Sequence, residues 1–271
     1  MNSIPCRLCR ANATWVCQQR LLARHDVDYF LCSHCELLQT QQPHWLDEAY
    51  ASALSRLDTG ALRRNQTESR QTALLAAALG IAADEPCLDY GGGYGVLTRM
   101  MRDVGLDFRW WDKHAENLFA RGFGGDVQRS CRLVTAFEVL EHFADVHQDL
   151  EQLFGPRHDF VFIATVLHDG HRPGWWYYLL ESGQHVAFYA RRTMRFIADT
   201  FGYDEMAGPT HTLFARKGAL RGARRALVQG LVRQPFAGRV SGLLPEPLLR
   251  RIGGYRPRTD ADHDLLRGAS A

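Results

Sequence analysis

Two groups of residues in this chain have the types and the spacing to do chemistry. The first is a pair of Cys-x-x-Cys strings, Cys6–Cys9 and Cys32–Cys35. Four thiolates delivered from two tight turns suit one tetrahedral zinc ion, and a fully thiolate-ligated ion has no open position, so its expected role is structural. The gap between the pairs is slightly longer than is usual. Cys17, His25 and His34 are substitute ligands within the same stretch. A segment this small has little core of its own, and the ion would supply folding energy. The second group is the string Leu88-Asp89-Tyr90-Gly91-Gly92-Gly93-Tyr94-Gly95. Such glycines let a backbone turn sharply and approach a ligand closely.

Two details bear on which ligand. Dinucleotide spacing calls for Gly or Ala at position 96, where this chain has Val96. Asp89 would lie at the end of a strand facing the loop, where its charge disfavours a pyrophosphate at the following helix N-terminus. S-adenosylmethionine carries no phosphate, and its ammonium and sulfonium both favour a nearby carboxylate. Asp112, in Trp110-Trp111-Asp112-Lys113, can accept hydrogen bonds from ribose hydroxyls at the end of a second strand.

The elements that must position these groups can be read from periodicity. Pro86–Tyr90, Asp107–Asp112, Arg132–Glu138, Asp159–Thr165 and Thr210–Ala215 read as strands. Tyr94–Val104, Val146–Phe154 and Arg191–Phe201 read as helices, the first and last stopped by Gly105 and Gly202. This alternation is the signature of a parallel α/β sheet. A further strand between Ala115 and Arg129 has the weakest pattern. Upstream, Thr72–Leu79 is a strong helix former with Gly80 as its stop. The expected division is a zinc-binding module over 1–45, a helical linker or cofactor lid over 46–84, a nucleoside-binding core over 85–216 and an Arg-rich extension over 217–271.

With these motifs in place, the chain resembles the class I S-adenosylmethionine-dependent methyltransferases over residues 85–216. Asp89, Gly91, Gly93 and Gly95 match the family's Asp/Glu-x-Gly-x-Gly-x-Gly motif, and Asp112 matches its second-strand acid. Glu138-Val139-Leu140-Glu141-His142 is similar to its fourth-strand segment, which lies beside cofactor and substrate. The resemblance implies a Rossmann-like sheet of seven strands with one antiparallel edge strand, S-adenosylmethionine as cofactor, and Asp89, Gly91, Gly93, Gly95, Asp112 and Glu138 as its binding residues. A narrower resemblance is to methyltransferases of polysaccharide and antibiotic-sugar pathways, some of which place a zinc module before the core. Their Tyr-x-Glu-His string, which supplies the base, has only its His matched in Ser182-Gly183-Gln184-His185.

An activated methyl donor leaves the protein to align a nucleophile and accept its proton. His185 and His142 are the catalytic candidates, because both follow strands of the parallel sheet, where such sheets bind ligands. Trp175-Trp176-Tyr177-Tyr178, beside Pro173 and Gly174, can stack on a sugar, flank a sulfonium or cover the core. Tyr50, Arg64 and Asn65 precede the core and could close over the cofactor. The segment from Arg216 to Arg258 has Glu246 as its single acid. It suits an anionic substrate, an acidic surface or self-association through a stripe of Leu227, Val228 and Leu231.

Whole-chain properties narrow the function. The net charge is +2, and residues 1–50 hold four Arg against five acidic residues, so no basic footprint marks a nucleic-acid binder. No run is long and apolar enough to span a bilayer. No secretory signal is evident, and paired Cys-x-x-Cys strings favour metal over disulfides, which points to the cytoplasm. The function that fits is a methyltransferase acting on a small molecule such as a sugar, nucleotide-sugar or secondary metabolite. The alternatives are a zinc-ribbon RNA methyltransferase and a non-catalytic S-adenosylmethionine-binding protein.

Overall fold

The structure, a computed structural model, describes residues 3–51, 58–170, 174–233 and 246–269. Pro173 and the stretch 234–245 of the Arg-rich segment lie outside the described residues.

Two sheets organise the chain. The larger runs in the order β10-β11-β8-β7-β5-β6. Strands β5 (Pro86–Tyr90), β6 (Asp107–Trp111), β7 (Leu133–Phe137) and β8 (Phe160–Ala164) pair in parallel, whereas β11 (His211–Arg216) is antiparallel to both β8 and β10 (Tyr203–Ala207). Their side chains alternate between two cores, as the two-residue period of a strand requires. On one face, Cys87, Leu133, Phe160, Phe162 and Leu213 pack under α2 (Ala61–Leu79), α3 (Val96–Val104), α6 (Gly222–Arg233) and α7 (Glu246–Gly253). On the other, Leu88, Val134, Val161, Ile163 and Phe214 pack under α4 (Val146–Phe154) and α5 (Arg191–Phe201). A four-residue helix, α1 (Leu46–Ala49), precedes α2, and α8 (Thr259–Ala269) closes the described chain.

The α/β architecture agrees with the sequence, with two corrections. This sheet has six strands among the described residues, not seven. The segment between Ala115 and Arg129 follows β6 through a single bridge, Trp110 to Gly124, and forms no strand. Its glycines explain this: a Cβ on Gly125 would stand 2.6 Å from the Leu88 side chain and 2.9 Å from Cβ of Arg109, so the backbone lies too close for regular pairing. The antiparallel strand is also not at the edge, because Tyr203–Ala207 adds outside it. In the C-terminal region, Val228 and Val232 are buried while Leu227 is exposed, which revises the apolar stripe of α6.

The smaller sheet is antiparallel, with β1 (Ser3–Pro5), β2 (Asn12–Leu21), β3 (His25–Cys32) and β4 (Leu38–Thr40) followed by β9 (Ala187–Phe188). Its fifth strand therefore comes from the core region, two residues beyond His185, with Leu38 paired to Phe188. Cys6, Leu8, Cys32, Cys35 and Leu37 share one apolar cluster with Leu140, Tyr189, Met194 and Ile197.

Candidate functional site

The glycine loop joins β5 to α3. Gly91, Gly93 and Gly95 have φ of 70°, 53° and 85°, the left-handed region that other residues adopt at a cost. A Cβ on Gly91 would strike Cγ2 of Val139 at 2.5 Å, whereas one on Gly93 would meet nothing within 4 Å. The loop thus presses against the β7 end at Gly91 and leaves open space at Gly93.

Asp89 is buried beneath this loop. Its carboxylate accepts from Oγ1 of Thr98, in the first turn of α3, at 3.0 Å and from Oγ1 of Thr135 on β7 at 3.1 Å. Burial pushes its pKa up to about 6, against the pull of these two hydroxyls. The carboxylate therefore clamps three elements and lends its charge from below. Asp112, just past β6, accepts from the backbone N–H of Gly93 at 2.8 Å and from those of His114 and Ala115 at 2.7 Å each. A carboxylate offers about four lone-pair sites, so at least one remains for a ligand. Trp110 supports the same loop, its indole N–H donating to the Gly93 carbonyl at 2.8 Å.

The β7 end forms the opposite wall. Glu138 has φ of 52°, a strained conformation for a residue with a side chain. Burial and the charge of Glu141 both raise its carboxyl above the usual range. A single 3-10 turn, Leu140–His142, follows and carries Glu141, which is fully buried. Oε1 of Glu141 accepts from the Tyr177 hydroxyl at 2.6 Å, and Oε2 is buried with no partner among the described residues.

His142 and His185 meet here, their ring centroids 4.9 Å apart. Nδ1 of His185 stands 2.8 Å from the Tyr177 carbonyl. A carbonyl only accepts, so Nδ1 carries the proton and Nε2 keeps a bare lone pair. Nδ1 of His142 faces the Tyr50 hydroxyl at 2.9 Å and the Gln184 carbonyl at 3.2 Å. Burial pushes the His142 pKa down to about 4 and that of His185 to about 3. Both rings are neutral at physiological pH.

The remaining candidates divide. Tyr50 reaches the site and also stacks on His114, centroids 4.6 Å apart. Arg64 pairs with Asp58 at 2.8 Å, and Asn65 donates to the Ala61 carbonyl of its own helix. Of the aromatic string, Tyr177 and Tyr178 are buried and Trp176 is exposed. Sequence reasoning gave Glu141 only within the Glu138–His142 string and Tyr177 only within the aromatic string, without the hydrogen bond that joins them. The two are 36 residues apart and share no local pattern.

The cysteines gather as two copies of one turn. Cys6 Sγ lies 3.5 Å from Cys35 Sγ, and Cys9 Sγ lies 3.5 Å from Cys32 Sγ. All four sulfurs fall within 4.8 Å of one another. In each turn the residue after the second cysteine is left-handed, Arg10 at 64° and Glu36 at 60°. Each donates its N–H to the first cysteine's carbonyl at 3.0 Å. Sulfurs about 2.3 Å from a tetrahedral ion stand roughly 3.8 Å from each other, so these distances fit zinc and are far too long for a disulfide. The substitute ligands are engaged elsewhere: His25 with Glu48, His34 edge-on to Phe196, and Cys17 beside Gln19.

Comparison with known proteins follows this geometry. The family described as a methyltransferase domain matches residues 44–206, more than half the chain, spanning the glycine loop and both histidines. The chain belongs to this methyltransferase family. The four cysteines lie outside the matched methyltransferase region. Among solved structures, magnesium protoporphyrin IX methyltransferase from Synechocystis PCC 6803 with bound SAH is 13% identical, with a TM-score of 0.44 over 64% of this chain and 93% of that one. Human N-acetylserotonin methyltransferase in complex with SAM is 15% identical, with a TM-score of 0.42 over 64% and 65%. CalO1, a methyltransferase in calicheamicin biosynthesis, is 15% identical, with a TM-score of 0.38 over 55% and 54%. The chain spans about half the length of CalO1 and of the mitomycin 7-O-methyltransferase MmcR. No curated protein matches it. No helix among the described residues is long and apolar enough to cross a membrane.

Proposed function

We propose that this methyltransferase uses S-adenosylmethionine to methylate a small molecule, with a sugar, nucleotide-sugar or secondary metabolite as the acceptor class, and that its four-cysteine cluster holds a structural zinc ion. The observation that carries the reading is the open space at Gly93 beside the Asp112 carboxylate, a cradle that a side chain would fill. Gly91, Gly93 and Gly95 would hold the cofactor together with Asp112 and Glu138, with Asp89 fixing the loop from beneath. When bound, S-adenosylmethionine supplies an electrophilic methyl group on a cationic sulfur.

The chain's own residues supply alignment and proton handling. Glu141, His142 and His185 form the acceptor side, and the two histidines are the candidate catalytic residues. The Nε2 lone pair of His185 suits an acceptor that presents a proton-bearing group. Tyr50, hydrogen-bonded to His142 and stacked on His114, is placed to shield this side from water. The weak net charge supports a small acceptor over a polyanionic one.

Calorimetry tests the reading. S-adenosylmethionine and its demethylated product are expected to bind, and a nicotinamide dinucleotide is not; the reverse pattern would sink it. Gly91→Ala should weaken cofactor binding by on the order of tenfold, because it combines a left-handed backbone with the Val139 clash.

A further inference from the structure

We propose that Glu141, His142 and His185 form a second metal site, separate from the thiolate cluster, that takes one divalent first-row transition cation. Each residue offers one ligand atom, and these atoms lie within 4.8 Å of one another. Cis ligands about 2.1 Å from an ion sit roughly 3 Å apart, so the three atoms draw closer together when they take one ion.

Three observations carry the assignment. The first is the unpartnered Oε2 of Glu141, on a side chain with 0% exposure. A buried acceptor without a hydrogen-bond partner is costly, and the donors near this carboxylate, the Tyr177 and Thr165 hydroxyls, leave Oε2 without one in hydrogen-bond geometry. The second is the hydrogen bonding of the two rings. Nδ1 of His185 serves the Tyr177 carbonyl, which leaves its Nε2 lone pair available, and Nδ1 of His142 lies between the Tyr50 hydroxyl and the Gln184 carbonyl. The third is the surrounding shell. Metal-bound histidines commonly donate their other N–H to a backbone carbonyl, and metal-bound carboxylates are themselves hydrogen-bonded. Tyr177 does both, its carbonyl accepting from His185 and its hydroxyl donating to Glu141 Oε1 at 2.6 Å. A cation turns a cluster of lone pairs with nothing to bind into a satisfied site.

The donor set selects the ion. Two imidazoles and one carboxylate suit Mn2+, Fe2+, Co2+ or Zn2+, whereas Mg2+ and Ca2+ prefer oxygen ligands throughout. Three protein ligands leave positions open for oxygen ligands from outside. The acceptor class this favours carries a hydroxyl able to coordinate the ion, whose charge would lower that hydroxyl's pKa; with the ion bound, the two histidines serve as its ligands in place of accepting the proton, which leaves to water. This role rests on the reading of the pocket as the acceptor side; the binding of the ion does not.

The test is Mn2+ titration of the full chain loaded with a single equivalent of Zn2+, which the four thiolates take first, followed by electron paramagnetic resonance. Mn2+ is a hard ion and leaves thiolate-bound zinc in place. One Mn2+ per chain is expected, with spin-echo modulation from coordinated imidazole nitrogen. Glu141→Gln and His185→Ala should each weaken binding at least tenfold, and Tyr177→Phe should weaken it by about tenfold through the surrounding shell. No Mn2+ bound by the wild-type chain, bound Mn2+ without nitrogen modulation, or unchanged affinity in a folded His185→Ala variant would each overturn the proposal. The modulation is read on the wild-type chain and so stands even if a variant fails to fold. Methyl transfer that proceeds without Mn2+ binding removes the metal and leaves the function standing. Mn2+ binding in a chain that transfers no methyl group leaves the site standing and removes the function.

Discussion

Asp89 ties the glycine loop to the strand and helix on either side of it. It is buried under the glycine loop, holds Thr98 and Thr135, and its pKa rises from 3.8 to about 6 because burial disfavours its charge. The folded chain therefore holds this proton more tightly than the unfolded chain does. Asp89 contributes its full stability below about pH 4, and that contribution is lost as pH rises through 6, by about 3 kcal/mol in total. Asp89→Asn should flatten this part of the pH–stability curve, so that urea unfolding shows a smaller fall from pH 4 to pH 7 than in the wild-type chain. An unchanged slope would mean that Asp89 is not the titrating group. The same residue couples to the proposed cofactor, since a cation bound above the loop favours its ionised form. The glycine loop and its two aspartates were legible in sequence because their spacing is local. Their partners Thr98 and Thr135 were not, because the nine and 46 residues that separate them from Asp89 are bridged only by the sheet.

At the scale of elements, the short strand β9 joins the two halves of the molecule. Arg7, between the first two cysteines, is half-buried, and desolvation lowers its pKa to about 10. Its guanidinium donates to the Ala144 carbonyl at 2.9 Å and to the Val186 carbonyl. Those carbonyls lie two residues after His142 and one after His185. The Thr193 hydroxyl and the His168 ring bond the Cys35 and Glu36 carbonyls of the second turn at 2.8 and 3.0 Å. Arg7→Met should thus cost about 3 kcal/mol of stability, from two lost charge-assisted bonds. It should also lower kcat on the order of tenfold by displacing the histidines, with little change in KM for the cofactor. Equal losses in kcat and cofactor affinity would point to general unfolding instead. A zinc chelator should loosen β9 and the His185 loop together with residues 1–45, seen as hydrogen exchange in both; exchange confined to 1–45 would show the two parts to be independent. Sequence reasoning found the cysteines but not this junction. A two-residue strand such as Ala187–Phe188 carries no periodicity of its own, and Tyr203–Ala207 was missed because its Asp204 and Glu205 mask an edge strand.

At the scale of the whole molecule, the C-terminal segment closes back on the cofactor half. The Tyr255 hydroxyl donates to the Ile81 carbonyl at 3.0 Å, and the Arg258 guanidinium to that of Ala83 at 2.6 Å. Asp262 on α8 receives two bonds from Arg102 on α3, at 2.8 and 2.7 Å. Arg102 is 2% exposed, lies 3.8 Å over the Phe123 ring and also donates to Asp107 on β6. Burial alone would raise the Asp262 carboxyl, but Arg102 more than offsets this and holds it below its usual range. Helix α3 begins at the glycine loop and β6 leads to Asp112, so this ion pair braces both supports of the proposed cofactor site from their far ends. Asp262→Asn leaves a buried guanidinium short of its partner and should cost about 3 kcal/mol, with a weaker grip on S-adenosylmethionine as α3 loosens. Replacing both charges, as Arg102→Met with Asp262→Leu, removes the stranded cation and should recover part of that loss. Urea unfolding of the wild-type, single and double variants decides it. Recovery in the double variant assigns the loss to charge burial; an additive second loss would mean that the Asp107 bond and the Phe123 contact of Arg102 hold α3 on their own.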